Sequence, residues 1–165
     1  MFILLIIILS FFLDGICSNL LLVSNLCYPL FSLLCLIVIY PYYRKKEINK
    51  FYITGFIIGL VYDIVYTNTL FLNACFFLAI SFFTKQLYDL LKISVYSTVC
   101  ISLFIIICYR LFIYLILLFT RCLDFNIDIL YKSIYCSLLI NLVYILLFYY
   151  STKIISKRLH LYIQK

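Results

Sequence analysis

Asp63, Arg110 and Asn141, side chains that cost free energy in lipid, lie inside apolar stretches of this 165-residue chain. Within a membrane such groups face protein or a wet cavity, where they form ion pairs, relay protons or hydrogen-bond a partner. Asp63 also ends a stripe. Gly55 and Gly59 precede it at intervals of four in Phe51-Tyr-Ile-Thr-Gly55-Phe-Ile-Ile-Gly59-Leu-Val-Tyr-Asp63-Ile-Val-Tyr-Thr67, and on an α-helix that spacing returns to nearly the same face. A G-x-x-x-G pair in an apolar helix lets a second backbone come close. The chain has only three glycines in all.

A helix opening at Phe51 would carry Asp63 about 18 Å into a hydrocarbon core about 30 Å thick, past the midplane. There an ionised carboxylate costs on the order of 3 kcal/mol. The expected partners are Tyr66, Thr67 or a facing helix, with a partner protein or ligand as the other reading. Arg110 either pairs with Asp63 or snorkels to the outer interface. Asn141 is expected to donate across helices as internal glue. With Tyr62, these residues form the candidate packing or partner surface.

Catalysis would call for a nucleophile beside a base, paired carboxylates or a metal cluster. The sequence offers none of these. His160 is the only histidine, and the eight cysteines contain no C-x-x-C pair, so the cysteines read as small hydrophobes. No enzyme activity, catalytic residue, cofactor or metal is expected. Asp124 and Asp128, flanked by Arg121 and Lys132, read as a solvated loop or a partner surface.

The elements that position these groups follow from composition. The chain is 68% hydrophobic and 12% charged, with a mean hydropathy of +1.22, whereas a soluble domain is roughly 45–50% apolar. The expected fold is an all-α integral membrane protein forming one domain, a bundle of six helices, or five if residues 1–28 do not fully cross. Spans are expected near 2–18, 29–43, 51–67, 69–84, 93–119 and 133–150. Pro29 suits the first turn of the second, and Thr67-Asn68 a tight hairpin between the third and fourth.

Net charge is +7, but no basic face is interleaved with stacking aromatics, so a nucleic-acid partner is not expected. Ten of the thirteen Lys and Arg residues fall at 44–50, 85–92 and 153–165. Six spans put all three segments on one side, and the positive-inside rule makes that side cytoplasmic, with both termini. The N-terminus lacks a charged leader region, and Asp14-Gly15-Ile16-Cys17 lacks the small residue a lipidation site would place before the cysteine, so neither cleavage nor lipidation is expected. No internal repeat is visible.

The stretch Thr54-Gly55-Phe56-Ile57-Ile58-Gly59-Leu60-Val61-Tyr62-Asp63-Ile64-Val65-Tyr66-Thr67-Asn68-Thr69-Leu70 resembles the signature of the rod shape-determining MreD family. That family carries G-F-x-x-G-x-x-x-D, a Thr/Ser turn, then Leu-Gly and another apolar helix. Tyr62, Asp63, Tyr66 and Thr67 are similar to the Firmicutes variant. Chain length, a proline opening the second helix, an asparagine in the last span and a basic tail agree in layout, while Phe71 stands where the family has its glycine.

The resemblance implies a non-enzymatic, multi-pass component of the bacterial cell membrane. It would bind MreC and, through it, act with MreB, a transpeptidase and a glycan polymerase in lateral peptidoglycan synthesis, in contact with membrane lipid. The alternative is the substrate-binding subunit of an energy-coupling-factor vitamin transporter, also a small bundle of helices. Its usual small-x-x-x-small pair is missing from Ile3–Leu13.

Overall fold

The computed structural model describes residues 2–20, 29–43, 45–67, 69, 71–121 and 125–158. The readings placed above on Arg44, Asn68, Asp124 and His160 fall outside them. Six α-helices follow in order: α1 Phe2–Leu20, α2 Phe31–Ile39, α3 Ile48–Tyr62, α4 Leu72–Leu91, α5 Val95–Phe119 and α6 Ile127–Arg158. Short 3₁₀ turns at Tyr40–Tyr42 and Lys45–Glu47 join α2 to α3, and a π turn at Asp63–Thr67 extends α3. The described residues contain no strand.

Five segments are long and apolar enough to cross a membrane: Phe2–Asn19, Ile48–Thr67, Leu72–Leu91, Val95–Phe119 and Ile127–Arg158. The fold is thus all-α, with lipid-compatible side chains such as Leu4, Phe12, Ile53, Phe104 and Leu147 on its outside.

Successive helices run antiparallel. Phe2 meets Tyr42 and Asp14 meets Phe31 across α1 and α2. Gly59 lies against Ala74 and Gly55 against Phe77 and Ser81 across α3 and α4, and Phe76 meets Phe112 while Tyr88 meets Thr98 across α4 and α5. Lys45, Lys46, Lys50, Lys85, Lys92, Lys153, Lys157 and Arg158 therefore fall towards one end of the bundle and Arg121 and Lys132 towards the other.

The second expected span, 29–43, is corrected. Only Phe31–Ile39 is α-helical there, and nine residues rise about 14 Å, under half the hydrocarbon thickness. Pro29 precedes the helix and Pro41, lacking an amide proton, lies in the turn that closes it. Every residue of α2 is buried, six of them at 0% exposure. A helix apolar all round belongs in an interior. Here it is the axle of the bundle, in contact with α1, α4, α5 and α6.

Other boundaries move outward, because charged residues with good helix propensity do not end a helix by themselves. The expected loop 85–92 is helical through Leu91, and the last helix spans Ile127–Arg158 in place of 133–150. Its 32 residues rise about 48 Å, longer than a bilayer's hydrocarbon core of about 30 Å is thick. The cysteine reading is corrected at one position: Cys136 is disulfide-bonded, whereas Cys17, Cys35, Cys75, Cys100 and Cys108 are free.

Candidate functional site

The glycine stripe faces the protein's own α4. A Cβ on Gly59 would sit 2.6 Å from both the Ala74 Cα and the Asn73 carbonyl oxygen, and one on Gly55 would overlap the Ser81 hydroxyl. Only glycine permits this approach, in which backbone meets backbone.

The close approach brings Asp63 to the start of α4. Asp63 Oδ1 accepts from the Asn73 amide at 3.1 Å and the Asn73 Nδ2 at 2.9 Å, and Oδ2 accepts from the Ala74 amide at 3.0 Å. The Thr69 and Thr67 hydroxyls also donate to Oδ1, at 2.5 and 3.3 Å. The carboxylate thus satisfies amide donors that a helix N-terminus leaves open, where the helix dipole favours negative charge. Asp63 is 1% exposed and takes its bonds from α4, Thr67 and Thr69, not from Tyr66. The expected pair with Arg110 is not formed. Tyr109, one residue earlier on α5, extends the network by donating to Asn73 Oδ1 at 2.9 Å.

A second carboxylate repeats this arrangement. Asp14 on α1 accepts from the Phe31 and Ser32 amides, each at 2.7 Å, and from the Ser32 hydroxyl. Its receiver is α2. Asn141 completes that cap by accepting from the Leu30 amide at 2.9 Å while its Nδ2 donates to the Ser137 carbonyl and hydroxyl. Asn141 is internal glue, as expected, but it accepts across helices and donates within its own.

Asp14 was not among the sequence candidates, although the signal was available. It is a carboxylate in an apolar run, the same reason that singled out Asp63, and Pro29-Leu-Phe-Ser32 is the opening of a helix that needs acceptors.

Between the two caps lies a cavity of about 320 Å³, walled by Asp14, Tyr62, Tyr66, Thr67, Tyr109 and Arg110 together with Leu30 and Ile113. The fold thus gathers Tyr62, Tyr66, Thr67 and Arg110 around one space. Arg110 does not snorkel outward as expected but is 8% exposed on the cavity wall. Tyr66 donates to the Phe11 carbonyl at 2.7 Å, and its ring packs at a tilt against Phe11 and Tyr62. The third glycine makes room for it, since a Cβ on Gly15 would stand 2.9 Å from the Tyr66 hydroxyl.

Gly55, Gly59, Asp63 and Asn141 hold helices together and do not line the cavity. No group of three or more His, Cys, Asp or Glu residues that would hold a metal occurs among the described residues. No protein-family model, curated protein or solved structure matches this chain.

Proposed function

We propose that this chain is a non-enzymatic membrane scaffold of the MreD type. In this reading it joins the bacterial elongation machinery through MreC and helps organise lateral peptidoglycan synthesis with MreB, a transpeptidase and a glycan polymerase. Both termini lie in the cytoplasm, because the lysine-rich end of the bundle is the end that resists translocation. A disulfide at Cys136 suits the opposite, oxidising side.

The observation that carries the reading is what the signature residues do. Gly55, Gly59, Asp63, Thr67 and Thr69 together build one locked helix–turn–helix, a structural role suited to a scaffold. Phe71, standing where the family has its glycine, has φ 61°, the left-handed conformation that glycine adopts without strain.

The glycine stripe is occupied by α4, so the surface left for a partner's helix lies elsewhere. An apolar groove of about 230 Å³ runs between α1 and α3, lined among the described residues by Ile7, Ile8, Phe11, Phe12, Ile57, Ile58 and Val61. We assign MreC to this groove. Co-purification of MreC from membranes is expected to fall several-fold when Ile57→Trp and Phe12→Trp fill it. Unchanged recovery, with rod shape intact, would sink the assignment.

The cavity favours a second reading, the vitamin-transporter subunit, because a largely apolar space with a few polar groups on its wall is what a small-molecule site offers. Purification of the chain with a bound vitamin would establish that reading and remove the first.

A further inference from the structure

We infer that the last described turns of α6 bind the phosphates of anionic phospholipids, such as phosphatidylglycerol, through Lys153, Lys157 and Arg158. The inference rests on the chain spanning a membrane, and it holds for a scaffold and a transporter subunit alike.

In these turns one row of α6 is buried. Thr152 and Ser156, 3% and 0% exposed, face the bundle, and their hydroxyls donate to the Tyr149 and Lys153 carbonyls of the same helix. Away from the bundle, residues four apart form two neighbouring rows, Tyr149-Lys153-Lys157 and Tyr150-Ile154-Arg158. Lys153, Lys157 and Arg158 are exposed, as are Tyr150, Ile154 and Ile155. Cations set among exposed isoleucines, just past a pair of tyrosines, suit the boundary between acyl chains and headgroups, where apolar groups enter the bilayer and basic groups meet phosphate.

Charge complementarity selects an anion. This end of the bundle carries eight described lysine and arginine residues against two acids, Glu47 and Asp89. Glu47 is engaged by Lys50 at 2.8 Å, and among the described residues no carboxylate pairs with Lys153, Lys157 or Arg158. Lys153 instead lies 5.9 Å from the centre of the Tyr149 ring.

Chain direction selects α6 over α3. Helical side chains lean toward the N-terminus of their own helix. Because α6 reaches this end by its C-terminus, its basic side chains reach back toward the apolar stretch, whereas α3 begins here and Lys50 leans away from it. Lys153 and Lys157 stand about 6 and 12 Å along the axis from Tyr149, and their flexible stems bring the charge to headgroup level. The helix dipole also favours cations at a C-terminus, but it does not account for the exposed Ile154 and Ile155, which lipid would cover.

The experiment reconstitutes the full chain in phosphatidylcholine nanodiscs holding a minor share of phosphatidylglycerol, then releases it for native mass spectrometry that counts the retained lipids. Wild type is expected to retain phosphatidylglycerol several-fold above its share of the bilayer. The triple variant Lys153→Gln, Lys157→Gln, Arg158→Gln is expected to lose most of that excess. Lys153→Arg with Lys157→Arg keeps it, and Lys46→Gln with Lys50→Gln on the α3 side leaves it nearly unchanged. All of these side chains are exposed, so the variants should fold.

No excess in the wild type, equal retention by the triple variant, or an equal loss in the α3-side variant overturns the inference, the last because net charge and not the α6 face would then be the cause. Binding of poly-glutamate in detergent without any excess of phosphatidylglycerol marks a surface for an acidic protein and overturns it as well. A chain recovered outside the nanodiscs sinks the membrane reading first and the inference with it.

Discussion

The two buried carboxylates perform the same task on helices of opposite character. Asp63 caps α4, a 20-residue helix that also packs along α3 through the glycine stripe. Asp14 caps α2, a nine-residue helix buried on every side. Isolated helices shorter than about 12–15 residues are marginal even in water, and the Phe31 and Ser32 amides at the α2 N-terminus are buried. The same hydrogen bonds therefore matter more at Asp14. A buried capping acid is best judged by how much other support its receiving helix has.

The sharpest way to break that comparison is to remove each acid in turn. Asp14→Ala leaves the Phe31 and Ser32 amides buried without their acceptor, at about 1–3 kcal/mol each, a loss of about 4 kcal/mol. Asp63→Ala should cost about 2–3 kcal/mol. It is the milder change because Asn73 Nδ2 retains Thr67 as an acceptor at 3.2 Å and α4 keeps its packing on α3. Unfolding in mixed micelles, followed by circular dichroism, ranks the two; equal losses would remove the distinction.

Gly59→Ala tests the extra support on the Asp63 side. Alanine gains about 1 kcal/mol in helix propensity, but its Cβ would meet the Ala74 backbone. A net loss of about 2 kcal/mol is expected, and combined with Asp63→Ala it should be less than additive. A net gain would show that the α3–α4 approach relaxes freely.

A double-mutant cycle sharpens the Asp14 side. Asp14 and Asn141 serve adjacent amides at the α2 N-terminus, so their alanine substitutions should couple by about 1 kcal/mol. Asn141 with Asp63 should instead add within about 0.5 kcal/mol. Coupling of the second pair as strong as the first would mean that the caps act as one network.

The smallest effect is expected at Phe71. Replacing it by glycine relieves a left-handed backbone worth about 1–2 kcal/mol but frees the unfolded chain. A net gain of about 0.5 kcal/mol should appear in the same unfolding assay, and a loss would assign the exposed ring an anchoring role.

The contrast between the two acids also shows where sequence reasoning reached. Asp63 was legible because its partners lie close along the chain, with Thr67, Thr69, Asn73 and Ala74 all within eleven residues, and because two glycines mark the face it shares. Asp14 receives Ser32 from eighteen residues away, and Leu30 meets Asn141 across 111. No periodicity encodes such separations. The second span was misjudged for a related reason: hydropathy reports that a segment avoids water but not whether lipid or protein surrounds it.

The sequence by itself determined the all-α class, the apolar helices long enough to cross a membrane and the face on which Gly55, Gly59 and Asp63 lie, because composition and helical period act locally. Tertiary structure alone decided that this face closes on α4, that α2 is an internal axle, and that Asp14, Tyr62 and Arg110 share one cavity. Those outcomes depend on which helices become neighbours. Buried polar groups select the neighbours, since each donor withdrawn from water must find an acceptor in three dimensions.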